Sequence, residues 1–162
     1  MNTLAIEHMP ATSRLWVYQA DRPFLQEEKL QIDILTQNFL SQWAAHGAEL
    51  KASHMIEYDQ FIVIAVDESF HAASGCSIDS SVNFVRSIEQ KFGLSLLDRT
   101  KVAVLDDDKI EIHPFNAIKQ QISTGNISPT ATVFNNAVQN VGEWKSSWRQ
   151  EARLSWMGRF FN

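Results

Sequence analysis

The spacing of apolar residues predicts two long helices and a series of strands. Apolar residues recur at three- and four-residue steps over 25–45 and over 78–92, which is the period of one helix face. Short runs of alternating or continuous apolar residues predict strands between and after these helices. The strand predictions span 13–20, 51–58, 61–67, 101–105, 109–113 and 131–134. Because 61–66 is apolar throughout, we expect that strand to be central in its sheet and covered.

The order of these elements predicts an α+β fold. Strand, helix, strand, strand, helix and strand follow one another over 13–105, which is the ferredoxin-like βαββαβ order with an antiparallel sheet core and both helices on one face. Residues 1–12 lack periodicity and are expected to form a loose leader. Residues 106–162 are expected to add a β-hairpin and a helical extension, ending in a helix over about 142–159, that could cover the other face of the sheet. Without repeats or a linker, 1–162 is expected to form a single domain.

Composition excludes several classes of protein. The 162 residues carry 14 Lys and Arg against 19 Asp and Glu, a formal net charge of −5, and 44% of them are hydrophobic. Collagen-like and disordered chains have far more Gly and Pro or far fewer apolar residues. A single cysteine excludes an internal disulfide and a cysteine-cluster zinc site. No run approaches the roughly 20 apolar residues of a membrane span, and no signal-peptide core is present. We therefore expect a soluble, cytoplasmic protein with no membrane partner.

Basic and tryptophan residues concentrate near the end of the sequence. Residues 144–162 carry one lysine and three arginines against one glutamate, and hold three of the five tryptophans. Such a segment could bind nucleic acid or a membrane. We favour packing of the tryptophans onto the acidic remainder of the chain, which would repel phosphates, so nucleic acid is not an expected partner. Trp and Arg are common interface anchors, and a homodimer through this segment is the alternative function.

The predicted topology brings several polar residues to one rim. In a ferredoxin-like sheet the first and third strands are parallel neighbours, so the loops that follow them meet at one edge. The second and fourth strands run in the opposite direction, so the residues that precede them, such as Arg99, reach the same edge. The residues expected to bind a ligand there are Arg22, Ser74, Gly75, Ser77, Asp79 and Arg99. Arginine forks and the free N–H groups at a helix start suit a carboxylate or phosphate, which predicts a small anionic ligand. Alternatively, Ser77 or Asp79 simply caps the helix, and both interpretations can hold together. Asn135-Asn136 could cap a turn or point into this rim.

Cys76 lies in the same loop and is the candidate nucleophile. A thiol at a helix N-terminus loses its proton more readily, and His71 could act as its base, oriented by Asp67. A buried structural cysteine is the favoured alternative, because free cysteines are among the most buried residues and no catalytic signature surrounds this one. Asp67, Glu68, His71 and Asp79 match no established metal-ligand spacing. No metal is therefore expected, and the sequence indicates no cofactor.

Five segments, 15–19, 21–22, 67–69, 73–82 and 133–136, carry a resemblance to a known family. They resemble a small bacterial family of similar length whose members often carry the label ABC transporter ATPase, and which has no established activity. The resemblance covers most of the chain and implies that the rim matters to the family. It implies no mechanism, because none of the six glycines is followed by lysine and the phosphate-binding loop of such an ATPase is therefore absent.

Overall fold

The structure is a computed structural model that describes residues 4–162. It confirms the α+β class and most of the predicted helices and strands. Three-residue 3-10 turns at Ile6–His8, Phe115–Ala117 and Ala152–Leu154, and a longer one at Trp156–Phe160, supplement the regular elements. These are β1 (Arg14–Gln19), α1 (Gln26–Gln42), β2 (Ala44–Ala45), β3 (Ala48–Glu49), β4 (Lys51–Glu57), β5 (Phe61–Asp67), α2 (Gly75–Phe92), β6 (Lys101–Asp106), β7 (Lys109–Pro114), α3 (Ile118–Ser123), β8 (Thr132–Phe134), α4 (Val141–Ser147) and β9 (Arg149–Glu151).

The first sheet has the order β1-β5-β4, with the apolar strand β5 at its centre as predicted. Both faces of β5 are covered, because alternate side chains of a strand point to opposite sides. Ile62 and Ile64 belong to the core cluster that includes residues of α1 and α2. Phe61 and Val63 belong to a second cluster, which contains tryptophans of the C-terminal segment. The expectation that this segment covers the second face is therefore confirmed.

The strand arrangement differs from the ferredoxin-like fold in two respects. β1 runs antiparallel to β5, with Arg14 opposite Val66, whereas the ferredoxin-like order requires parallel neighbours. β6 joins a second sheet of order β7-β6-β8-β9. The outer edge of β1, where a ferredoxin-like fold places its fourth strand, is partly occupied: Leu15 N donates to the Gln139 carbonyl at 3.0 Å, and Arg14 forms an isolated bridge with Asn140.

The C-terminal helix is much shorter than the predicted 142–159. α4 ends at Ser147, and β9 follows as the antiparallel partner of β8. Trp148, between them, is fully buried, and its carbonyl accepts a hydrogen bond from Asn135 N at 2.7 Å. The chain leaves the helix here because pairing with β8 satisfies backbone groups at the edge of the second sheet. The predicted helix relied on Trp144, Trp148, Ala152, Trp156 and Phe160, which lie four residues apart, and this spacing therefore does not mark one continuous helix.

Residues 4–12 are not a loose leader. Ile6 is 1% exposed and Met9 is 6% exposed, and both pack in the cluster that contains Trp148. Lys145 Nζ donates to the Glu7 carbonyl at 2.6 Å, which ties this segment to α4. The first three residues of the predicted leader lie outside the described residues.

Candidate functional site: a cleft beside strand β1

The predicted rim is divided between two ends of the molecule. Because β1 and β5 are antiparallel, the loops that follow them lie at opposite ends of the first sheet. Arg22 Nη2 donates to the carbonyl of Phe92, the last residue of α2, at 2.9 Å. Ser74 caps the first turn of the same helix. The 18 residues of α2 span roughly 27 Å at 1.5 Å per residue. Arg22 and the loop around Ser74 therefore cannot bind the same small ligand.

Arg22 joins two helices instead. Its Nη1 and Nη2 donate to Oε1 and Oε2 of Glu28 at 2.8 and 2.9 Å. Glu28 Oε1 also accepts from Leu25 N at 2.8 Å. The hydrogen bonds from Arg22 and then from the Leu25 backbone lower the pKa of Glu28 to about 2. These contacts engage both ends of the guanidinium, so Arg22 links the start of α1 to the end of α2.

The first turn of α2 is closed by a reciprocal pair of serines. Ser74 Oγ accepts from Ser77 N at 3.1 Å, and Ser77 Oγ accepts from Ser74 N at 2.7 Å. Ser74 is therefore the cap, whereas Ser77 is its buried partner and Asp79 is exposed one turn further along. A Cβ on Gly75 would meet no atom within 4 Å, and its backbone is not left-handed. The structure thus shows a helix cap in this segment, but the cap is Ser74 and not Ser77 or Asp79 as predicted. Ligand binding by Ser74, Gly75, Ser77 and Asp79 stays a prediction.

Cys76 is exposed, so the expectation of a buried structural cysteine is wrong. His71 is exposed as well. Asp67 Oδ1 accepts hydrogen bonds from the backbone N and the hydroxyl of Ser69 at 3.0 and 2.6 Å, and these bonds lower the pKa of Asp67. Within residues 4–162 no hydrogen bond joins Asp67 to His71, so Asp67 does not orient His71 as predicted. A pairing of Cys76 with His71 stays a prediction.

A cleft follows the outer edge of β1, between that strand and the second sheet. It consists of two adjoining cavities of about 430 and 520 Å³. They share a wall formed by Val17, Arg99, Asn136 and Ala137. Of the residues predicted to bind a ligand, Arg99 lies in this cleft.

Three side chains form a hydrogen-bonded chain in the cleft. Trp148 Nε1 donates to Asn136 Oδ1 at 3.0 Å, and Asn136 Nδ2 donates to Gln19 Oε1 at 2.9 Å. Gln19 Nε2 in turn donates to the Lys101 carbonyl at 3.3 Å. The chain connects the C-terminal segment, β1 and β6, and it fixes both amide groups. Of the two predicted roles for Asn135-Asn136, Asn135 caps a turn by accepting from Ala137 N at 3.1 Å, and Asn136 lines the cleft.

Arg99 is held by an ordered segment but keeps its guanidinium free. Glu89 Oε2 accepts from Leu96 N and Leu97 N at 2.7 and 3.1 Å, which anchors the segment after α2. Arg99 itself is exposed. Among the residues that the structure describes, no carboxylate lies within 4 Å of Arg99, in contrast to Arg22. Burial raises the pKa of Tyr18, and a side-chain hydrogen bond with Ser81 and then the charge of Arg99 oppose that shift. Arg99 lines both cavities together with Val17 of β1.

The cleft is locally basic in an acidic chain. Its lining carries Arg14, Arg99 and Lys101 against Glu68 and Asp98. Both carboxylates are engaged by neighbouring backbone: Glu68 accepts from Ala73 N at 2.7 Å, and Asp98 accepts from Thr100 N at 2.8 Å. These bonds leave both carboxylates ionised, so an anionic group entering the cleft would meet three cationic and two anionic side chains, a small excess of positive charge.

An exposed aromatic pair lines the smaller cavity. Phe115 and Trp156 are 56% and 41% exposed, and their rings stack at 5.2 Å between centroids with an interplanar angle of 26°. The sequence indicates no role for Phe115, and it places Trp156 on the apolar face of the predicted C-terminal helix. No local pattern marks either residue, because they come together through the packing of two distant segments. Gln19 was also missed, since its role depends on Asn136 and Lys101 across the cleft.

No family model, curated protein or solved structure matches this chain. The resemblance to the family labelled ABC transporter ATPase therefore stays a prediction. The part of the chain that the structure describes contains no helix with the length and apolar character needed to cross a membrane. It also contains no group of three or more His, Cys, Asp or Glu side chains arranged to hold a metal ion.

Proposed function

We propose that this protein binds a small anionic ligand, a carboxylate or a phosphate, at Arg99 in the cleft beside β1. The observation that carries the proposal is the free guanidinium of Arg99 on the wall shared by the two cavities. The proposal keeps the ligand class that the sequence suggests and, of the residues predicted to bind it, rests on Arg99, which lines both cavities. It assigns no reaction.

The chemistry of the cleft supports this proposal. A guanidinium presents a planar set of N–H donors that matches a carboxylate or phosphate in two-point contacts. Lys101 and Arg14 add positive charge along the same lining. Cavities of about 430 and 520 Å³ fall in the range of roughly 300–1,000 Å³ that is usual for small-ligand sites. Because the amides of Gln19 and Asn136 already bind each other, Arg99 is the main free donor for the anion.

Titration with inorganic phosphate and with acetate, followed by NMR shifts of backbone amides, tests the proposal. Shifts should map to residues around Arg99, and Arg99→Met should weaken the interaction about tenfold or more. Arg86→Met is the matched control, because Arg86 is exposed on α2 and lies outside the cleft lining. Equal affinity in the wild type and Arg99→Met, or an equal loss in Arg86→Met, would contradict the assignment.

A homodimer through the C-terminal segment is the second candidate function. Trp144 and Trp148 are 4% and 0% exposed, so they serve the core and cannot anchor a partner. Leu154, which is 74% exposed, lies two positions before the exposed Trp156 in the sequence, and these two exposed apolar side chains favour a dimer interface. Light scattering of the wild type and of Leu154→Ser tests it. A dimer that Leu154→Ser dissociates supports this function, and a wild-type monomer at high concentration rejects it.

A further inference from the structure

We infer that the anionic ligand also carries a planar aromatic ring, and that this ring stacks against Trp156 and Phe115 at the end of the smaller cavity. The inference rests on the proposed function, since Arg99 supplies the contact to the anion. The ring is the second group of the ligand that the protein recognises, so the ligand is an aromatic acid or a nucleotide-like phosphate.

Aromatic surface and positive charge coincide in the smaller cavity. Large exposed apolar side chains also occur elsewhere, for example Leu30 and Ile34 on α1, but those do not line either cavity. Phe115 and Trp156 share the lining of the 430 Å³ cavity with Arg99 and Lys101. Ligand pockets typically combine aromatic surface with a few placed polar groups. A ligand with a ring and an anion would use both parts of this lining.

Backbone contacts fix the turn that carries Trp156. Ser155 Oγ accepts from Met157 N at 3.1 Å, and Met157 is fully buried. A Cβ on Gly158 would collide with the carbonyl oxygen of Arg153, so this tight turn requires glycine there. Arg153 N donates to the Pro129 carbonyl at 2.9 Å, which fixes the start of the turn. The indole is thus held in place before any ligand binds, which reduces the entropic cost of stacking.

Two neighbouring phenylalanine rings hold the indole of Trp156. Phe115 stacks on Trp156, and Phe160 meets the indole edge-on at 6.4 Å with an interplanar angle of 88°. These contacts hold the indole plane, yet they leave 41% of Trp156 exposed. A second planar ring can extend such a stack, and aromatic stacking of this kind tolerates different ring types.

Two matched pairs of probes test the inference by calorimetry or NMR titration. Adenosine monophosphate is compared with ribose 5-phosphate, and 2-naphthoate with decalin-2-carboxylate. Each pair keeps the anion and differs in the aromatic ring. In the wild type at least one aromatic probe should bind about tenfold or more tightly than its ring-free or saturated partner. The pair that shows the larger advantage distinguishes a nucleotide-like ligand from an aromatic acid.

Variants of Trp156 locate the ring. Trp156→Leu should abolish the advantage of the aromatic probe, whereas Trp156→Phe should keep most of it, and Arg99→Met should weaken all bound probes. Thermal unfolding of each variant shows whether it is folded. Equal affinity within both pairs, or an advantage that survives in folded Trp156→Leu, overturns the inference while phosphate binding at Arg99 stands. If Arg99→Met leaves every affinity unchanged, the proposed function fails first and the inference fails with it.

Discussion

Arg22 joins the start of α1 to the end of α2, and replacing it with methionine tests whether that contact stabilises the fold. Methionine keeps an apolar stem but removes four donated hydrogen bonds: two to Glu28, one to the Phe92 carbonyl and one to the Pro23 carbonyl. Two of these bonds pair ionised groups in a two-point geometry, which is stronger than an ordinary surface ion pair. We therefore expect the free energy of unfolding to fall, and the affinity for phosphate to stay unchanged.

The pKa of Glu28 sets the size of the effect. A lowering from the ordinary 4.5 to about 2 corresponds to roughly 3 kcal/mol if water did not screen the pair. The side chains of Arg22 and Glu28 are 38% and 14% exposed, and the hydrogen bond from Leu25 N to Glu28 stays in Arg22→Met. Solvent screening and this remaining bond reduce the expected loss to about 1–2 kcal/mol at pH 7.

The same pair predicts a pH dependence. Because the pKa of Glu28 is lower in the folded protein than in the unfolded chain, the contribution is present above pH 4.5 and is lost as pH falls towards about 2. Urea unfolding followed by circular dichroism at pH 7, 5, 4 and 3 should show the difference between wild type and Arg22→Met shrinking as the solution becomes more acidic.

Arg86→Met is again the control. Arg86 is exposed, and its side chain donates to Asn83 Oδ1 on its own helix, so its loss should change stability by less than about 0.5 kcal/mol. The reasoning is refuted if Arg22→Met behaves like this control, or if its destabilisation does not depend on pH. An NMR titration that gives Glu28 a pKa near 4.5 in the folded protein would refute it directly.

Three further predictions concern packing, backbone and exposure. Trp148→Ala should cost about 3–5 kcal/mol in urea unfolding, because it empties a fully buried site; a loss below about 1 kcal/mol would contradict this. Gly93→Ala should lower the free energy of unfolding by about 1 kcal/mol, because Gly93 ends α2 with a left-handed backbone (φ 63°). Gly75→Ala should leave stability unchanged or raise it. Thermal unfolding in which Gly75→Ala is the more destabilising of the two would contradict both expectations. Iodoacetamide should label Cys76 in the native state nearly as fast as in urea, and strong native protection by mass spectrometry would contradict its exposure.

The predictions of individual elements succeeded because they depend on local patterns. The apolar run 61–66 needs cover on both faces wherever its neighbours lie, and β5 has that cover. Tyr58, Asp59 and Gln60 form the turn between β4 and β5, at the junction of the predicted strands 51–58 and 61–67, with Tyr58 and Asp59 at positive φ. The predicted C-terminal helix is wrong beyond Ser147. Apolar residues four positions apart fit a helix, but this spacing does not reveal that the segment after Trp148 pairs with β8.

The candidate site could be predicted only in part. Arg99 was identified because it precedes a strand, and Asn136 because it follows one. Arg22 was identified by the same reasoning, yet its partners are Glu28 and the carbonyl of Phe92, which is 70 positions away in the chain. Which arginine keeps a free guanidinium depends on distant contacts, and no local spacing encodes them.

The sequence by itself determined the α+β class, the positions of most helices and strands, the central strand β5 and the turns that join hairpins. These features follow from the periods of side chains along a helix or a strand and from turn residues, all of which are local. Only the tertiary structure decided that β1 runs antiparallel to β5, that β6 enters a second sheet and that the cleft opens beside β1. Which strands pair depends on contacts between segments that are far apart in the chain. At the outer edge of β1, the segment at Gln139 and Asn140 occupies the position where the predicted ferredoxin-like fold places its fourth strand.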